Sequence, residues 1–421
     1  MGGGGSALRV CADHRGGINW LSLSPDGQRL LTGSEDGTAR LWSTADGTCC
    51  ALLQGRPFRP RPPTARPALL SAARQPLTCP QTPSPKSSAH PPWTLVEKPP
   101  GAGLPELQHC FEVPVPSGLS PNCPQAAFFP SSASQTRSGS RPAPQRSHVL
   151  PSSAGHESYV TFCQLEDEAA FTCSADCTIR KWDVLTGQCL QVFRGHTSIV
   201  NRILVADNQL FSSSYDRTAR AWSVDRGQVA REFRGHRNCV LTLAYAGAPC
   251  VEEAVAGGLL VTGSTDATAK VWQVASGCCH QTLRGHPGAV LCLVLDAPGR
   301  TAFTGSTDAT AKVWQVASGC CHQTLRGHPG AVLCLVLDAP GRTAFTGSTD
   351  ATAKVWQVAS GCCHQTLRGH TGAVLCLVLD APGHTAFTGS TDATVRAWDI
   401  LSGQQLRVFR EHQGSVICLE V

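Results

Sequence analysis

The chain has 421 residues, 41% hydrophobic and 15% charged, a composition with enough apolar residues for a sizeable core. No apolar run approaches the ~20 residues that a membrane-spanning helix needs, and no apolar stretch of a secretory leader follows Met1, so the 22 cysteines are expected to be reduced thiols. The net charge of +5 invites a nucleic-acid reading until it is located: residues 56–155 carry ten Lys/Arg against three Glu, and the other 321 residues sum to −2, which argues against an ordered basic face.

In chain order, residues 1–6 (Met-Gly-Gly-Gly-Gly-Ser) read as a flexible Gly-rich tail, and they also fit the Met-Gly-x-x-x-Ser pattern for N-myristoylation at Gly2. A single myristoyl holds a membrane only marginally, so membrane contact is expected only if Gly2 is modified. Residues 7–55 form a first unit, opening with an outermost strand at 7–11. Residues 56–155 hold 22 of the 29 prolines and show no apolar periodicity, so they are expected to be a disordered, basic Pro/Ser-rich insertion. Pro60-Arg-Pro-Pro63, Thr82-Pro83 and Ser84-Pro85 offer short docking and modification patterns, which such a composition also produces by chance. Closing a loop of this length costs roughly 4 kcal/mol, less than the burial of a small sheet returns.

Residues 156–421 repeat. Residues 262–303 and 304–345 are identical, and 346–387 differs only at Thr371 and His384. Seven tryptophans recur about every 42 residues once the insertion is removed. In each unit a His, a Ser/Thr, an Asp and a Trp stand in register. The sets are His14, Thr32, Asp36 and Trp42; His156, Thr172, Asp176 and Trp182; His196, Ser212, Asp216 and Trp222; and His236, Thr262, Asp266 and Trp272. They continue with His286, Thr304, Asp308 and Trp314; His328, Thr346, Asp350 and Trp356; and His370, Thr388, Asp392 and Trp398.

The residues between these marks read as short strands: 288–295, 302–306, 310–316 and 320–325 in one unit, joined by Gly, Asp and Pro turns. Four antiparallel strands in about 42 residues make one small sheet, and several such sheets bury their faces by packing round an axis. The chain closes with 414–421, which reads as an innermost strand. The expected ring is seven four-stranded blades meeting directly, with 156–421 ending in a partial repeat. An eight-position ring with a two-stranded blade is the alternative.

With these marks the units resemble WD40 repeats, although only Trp182-Asp183 and Trp398-Asp399 keep the Trp-Asp pair. The resemblance implies an all-β propeller in which the four residues form a hydrogen-bonded tetrad inside each blade, with Ser34 and its equivalents as second choice for the hydroxyl. Buried indole N–H, hydroxyl and imidazole groups each need a partner, which gives the tetrad its physical sense. The His, Ser/Thr and Asp resemble a hydrolase triad, but a hydroxyl knitted to a core Trp is not an exposed nucleophile, and no phosphate loop or nucleophile elbow occurs. The chain is therefore read as a non-enzyme with no catalytic residue, no metal site and no cofactor. Adjacent cysteines such as Cys278-Cys279 point to opposite sides of a strand and cannot chelate together, and Cys173 with Cys177 supplies too few ligands.

The resemblance further implies a top face lined by the residue before each Asp and the fifth after each His. The first set is Glu35, Ala175, Tyr215, Thr265, Thr307, Thr349 and Thr391; the second is Asn19, Thr161, Asn201, Leu241, Leu291, Leu333 and Leu375. Among these, Asn19, Asn201, Tyr215, Leu241, Leu291, Leu333 and Leu375 are the candidate partner-binding residues, with the alternative that the leucines line the central channel. The expected function is a scaffold for protein or peptide partners, acting as a monomer or as a subunit of a hetero-complex. It is placed in the cytoplasm, with the nucleus or a membrane surface as alternatives. A substrate-recognition subunit of a ubiquitin ligase is the second reading, weakened because Leu185 and Leu401 stand where relatives that bind the ligase adaptor carry Arg. Nucleic-acid binding comes third, and no nucleic-acid partner is expected.

Overall fold

Seven four-stranded antiparallel sheets follow one another along the chain, each a meander whose strands pair in sequence order. In blade 1 the strands are Ile18–Leu23, Arg29–Ser34, Ala39–Ser43 and Cys49–Leu53. Blades 2 to 7 span 160–194, 200–234, 240–284, 290–326, 332–368 and 374–409. The computed structural model describes residues 9–54, 155–247, 258–380 and 384–421, with the backbone alone at Arg9–Val10 and Thr94–Leu95. Gly2 and the insertion expected at 56–155, apart from Thr94–Leu95 and Gly155, lie outside the described residues.

The first strand of each blade lies against the first strand of the next, so these strands form the innermost layer of a β-propeller. Neighbouring blades share a core. Phe171, Ile179 and Phe193 of blade 2 pack with Val200, Ile203, Leu210 and Trp222 of blade 3, and the same layering recurs around the ring. Each tetrad Trp is at most 2% exposed. The contact is close enough to need glycine: a methyl group added at Gly305 would lie 2.7 Å from Val332 Cγ1 of the next blade.

The insertion does not pull blades 1 and 2 apart. A Cβ built on Gly155 would stand 3.2 Å from the Cα of Gln54, so the two ends of the excursion return to one point.

Closure differs from the expected direct meeting of seven blades. Blade 7 and blade 1 are separated by residues 414–421, which take the innermost position of an eighth blade. Val416 sits against Gly389 as Val374 sits against Gly347. Cys418 joins Leu21, Leu30 and Trp42 of blade 1, and the Leu23 amide donates to Glu420. Cys11, three residues before His14 as Phe193 is before His196, fills the outermost position beside Trp42. Residues 414–421 carry no strand ladder, because the two middle strands against which they would pair are absent among the described residues. The eight-position ring is therefore the arrangement found.

Candidate functional site

At one end of the ring each His loop meets each Asp turn, and all seven blades contribute the same constellation there. The two loops are tied through the backbone: the residue before every Asp donates its N–H to the carbonyl three residues after the His, as in Glu35 to Gly17, Tyr215 to Ile199 and Thr307 to Ala289.

Beneath this end each tetrad closes a circuit. The indole Nε1–H donates to the Ser/Thr oxygen at 2.8 Å in all seven blades. The same oxygen lies 2.7–2.8 Å from His Nε2. His Nδ1 lies 2.6–2.9 Å from the second Asp oxygen. Assigned from this network, the imidazole is neutral with its proton on Nδ1, because the hydroxyl accepts from the indole and has its own proton to give to Nε2.

The electrostatics agree. Burial holds His156, His196, His286, His328 and His370 below the ordinary histidine value, outweighing the adjacent carboxylates. For the Asp partners burial acts upward, yet hydrogen bonds from His and from a neighbouring Thr prevail and keep the carboxylates ionised below their usual range, Asp392 at about 2. A hydroxyl that is 0% exposed at Thr304 and already bonded on both sides has no route to a substrate.

Two further residues per blade complete the circuit. The Thr two after each Asp, such as Thr38, Thr218 and Thr310, donates from its hydroxyl and its N–H to the first Asp oxygen, the hydroxyl at 2.6–2.7 Å. This Thr recurs seven times at a fixed offset, a signal as regular as the tetrad itself. The second-choice hydroxyls at Ser34, Ser174 and their equivalents serve elsewhere, accepting the Asp N–H and, from Ser174, bonding the Ser158 carbonyl of the His loop.

The residues fifth after each His share a feature that spacing does not show: each is the extra residue of a β-bulge in its innermost strand. The register skips Asn19, Thr161, Asn201, Leu241, Leu291, Leu333 and Leu375. A bulge re-aims its side chain. Asn19 thereby donates to the Val160 carbonyl at 2.8 Å, Thr161 to Val200 at 2.5 Å and Asn201 to Leu241 at 2.5 Å, each reaching the first strand of the next blade. Asn19 and Asn201, candidates for partner contact, are thus braces between blades. The four leucines keep the same register and are half-buried, as is Tyr215.

The inner wall differs along the ring. Trp20 and Phe162 stack at 4.5 Å, and the Arg202 guanidinium lies 4.7 Å from the Trp20 ring, so blades 1 to 3 present aromatic and cationic groups. Below, Leu185 and Leu401 are 77% and 81% exposed. The cysteines of the described residues are free, and no group of three or more His, Cys, Asp or Glu able to hold a metal ion occurs among the described residues. In the Cys-Cys-His runs, His280, His322 and His364 are the residues skipped by the outer-strand register.

Fold and tetrads together define a WD40 propeller, and the chain belongs to that family: the WD domain, G-beta repeat model matches residues 5–43, 147–183, 187–223, 227–273, 277–315, 319–357 and 361–399. It is 55% identical over 309 residues to human WD repeat-containing protein 86, a match that covers 72% of this chain and 56% of that relative, so the chain spans about half the relative's length. A crystal structure of the computationally designed Ika8 protein shares the fold with a TM-score of 0.66 at 22% identity, over 98% of this chain and 93% of that one.

Proposed function

We propose that the protein is a non-catalytic scaffold that binds protein or peptide partners at the end of the ring where the His and Asp loops meet. The observation that carries this reading is the direction of the tetrads. Their titratable groups are bonded inward, and what blades 5 to 7 repeat at that end is uncharged: Leu291, Leu333 and Leu375 at the bulges, with Thr307, Thr349 and Thr391 tied to the same loops. Three copies of one apolar and hydroxyl pattern suit a partner that buries side chains rather than one recognised by charge. Tyr215 of blade 3 adds an aromatic group at the same end, with blade 4 between it and this arc. Nothing in the geometry favours a ligase adaptor over other protein partners.

The test is proximity labelling in cells with the triple variant Leu291→Glu, Leu333→Glu, Leu375→Glu, its fold checked by circular dichroism. Loss of neighbours labelled by the unsubstituted protein is expected. An unchanged set of neighbours from a folded variant contradicts the reading.

A further inference from the structure

Of the innermost strands of the seven blades, only Val200–Ala206 carries a charged residue, Arg202. It stands sixth after its His, directly past the bulge at Asn201, and so just inside the channel from the loop end. The same place holds Trp20 in blade 1, Phe162 in blade 2, Thr242 in blade 4 and a cysteine in each of blades 5 to 7. The Arg202 guanidinium lies 4.7 Å from the Trp20 ring and 5.3 Å from the Phe162 ring, and it has no hydrogen bond or ion pair with a described residue. Contact with ring faces leaves the N–H donors at its edge unmet.

Two buried hydroxyls at this level also have bonds to make. Ser213 is the residue paired with Arg202 in the blade 3 ladder, and Thr242 is the equivalent of Arg202 in blade 4. They are 0% and 1% exposed, and neither side-chain oxygen has a hydrogen-bond partner among the described residues. Orphan polar groups in a protein interior call for a partner. Burial pushes the Arg202 pKa down, and what offsets burial is the thiols of Cys292 and Cys173 rather than a carboxylate. The Glu420 carboxylate is engaged at another level, accepting from the amide of Leu23, three residues beyond Trp20.

We propose that this level of the channel mouth is a carboxylate site, which takes an acidic side chain of a peptide bound at the loop end. The inference rests on the scaffold reading and names the partner's chemistry: apolar side chains for the leucine arc of blades 5 to 7, and one Asp or Glu for Arg202. The edge of a guanidinium offers two parallel N–H donors that match the two oxygens of a carboxylate. One cation among rings, thiols and hydroxyls also neutralises one negative charge. A phosphate, at about −1.5 to −2, would leave charge unpaired between apolar walls.

The probe is the acetylated, amidated pentapeptide Leu-Ala-Glu-Ala-Leu, whose only carboxylate is the Glu side chain. Titrated into the full chain, it should shift the Trp20 indole N–H signal in NMR saturably. Gln in place of the peptide's Glu and Arg202→Gln in the protein should each weaken binding tenfold or more and, combined, weaken it no further, as expected of two groups sharing one interaction. Arg202→Lys keeps the charge without the fork and should recover only part of the affinity. Unchanged signals from the seven tetrad indoles report that the variants fold, and the peptide change leaves the protein untouched.

The inference is overturned by absence of a saturable shift at millimolar peptide, or by binding indifferent to the peptide's Glu or to Arg202. Tighter binding of the same peptide with phosphoserine at the central position overturns the choice of carboxylate. Equal binding by the Gln peptide with a free C-terminus would assign the site to a chain terminus instead of a side chain. Tenfold tighter binding after deletion of 56–155 would place one of that segment's own glutamates there. Should the leucine variant keep its labelled neighbours while the Glu peptide still binds through Arg202, the scaffold reading fails and the carboxylate site stands; the reverse pattern removes the site alone.

Discussion

Pro287, Pro329 and Thr371 occupy one place in three nearly identical blades, and the difference reaches the Asp beneath. Thr371 donates its backbone N–H to Asp392 at 3.0 Å, as Arg15, Glu157, Thr197 and Arg237 do for their Asp residues. Proline has no N–H to give, so Asp308 and Asp350 accept one bond fewer. Pro329→Thr should therefore lower the Asp350 carboxyl further, read by carbon NMR titration, while Asp308 stays unchanged. The tetrad hydroxyl is the more costly group to lose. Thr304→Val leaves the Trp314 N–H and His286 Nε2 both buried and unpaired, and should destabilise by about 3 kcal/mol in urea unfolding. The tetrad was legible in the sequence because four residue types recur at fixed offsets. The Thr two after each Asp was equally regular, but a short hydroxyl residue beside a turn carries no chemical signature until its bond to the carboxylate is seen.

At the scale of the element, the turn after each Asp carries a backbone strain that the blades resolve unequally. The residue following Asp has positive φ in every blade, with Gly37 at 75° and Ala267, Ala309, Ala351 and Ala393 at 61–66°. An alanine there costs roughly 1–2 kcal/mol, and glycine gives back part of that gain as chain entropy. Ala309→Gly should thus stabilise by about 0.5–1 kcal/mol, and the four-fold substitution should raise the melting temperature further in calorimetry. In the opposite sense, Gly305→Ala would place a methyl 2.5 Å from Cys292 Sγ and 2.7 Å from Val332 Cγ1, and should cost about 1–3 kcal/mol. Strand positions read from apolar runs fell within two residues of those found in the unit 288–325, where Val290–Leu295 and Cys321–Arg326 are the first and last. The bulges were not legible: an extra residue in a ladder alters register without altering composition. That is why the reach of Asn19 and Asn201 to the next blade could not be read from their spacing.

For the whole molecule, closure was the part least open to sequence reading, since it depends on where the two ends fall in space rather than on any local pattern. Cys11 and Val416 lie 405 positions apart, yet they fill the outer and inner places of one blade. The insertion is the other long-range term. With Gly155 against Gln54, deleting 56–155 joins Gly55 to His156, removes a closure cost of roughly 4 kcal/mol, and should leave unfolding stability equal or higher.

The tetrads also set the response of the ring to acid. Buried His residues whose folded values lie below 6.5 take up protons more readily when unfolded, so stability falls as pH drops below about 6.5. The lowered Asp carboxylates add a second loss as pH falls below about 3.8. Both terms have the same sign. Between about pH 7 and about pH 5 the five buried His outnumber the one opposing group among the described residues, Glu420, whose carboxyl burial raises to about 7. Melting temperatures at about pH 5 should therefore lie below those at about pH 7.

Indole hydrogen exchange, followed by NMR in deuterated water on protein labelled at tryptophan nitrogen, examines the seven internal circuits one by one. Seven slowly exchanging Nε1–H signals, with Thr304→Val selectively speeding the one from Trp314, is the result this account requires. Seven indole protons exchanging at the rate of free tryptophan would contradict it.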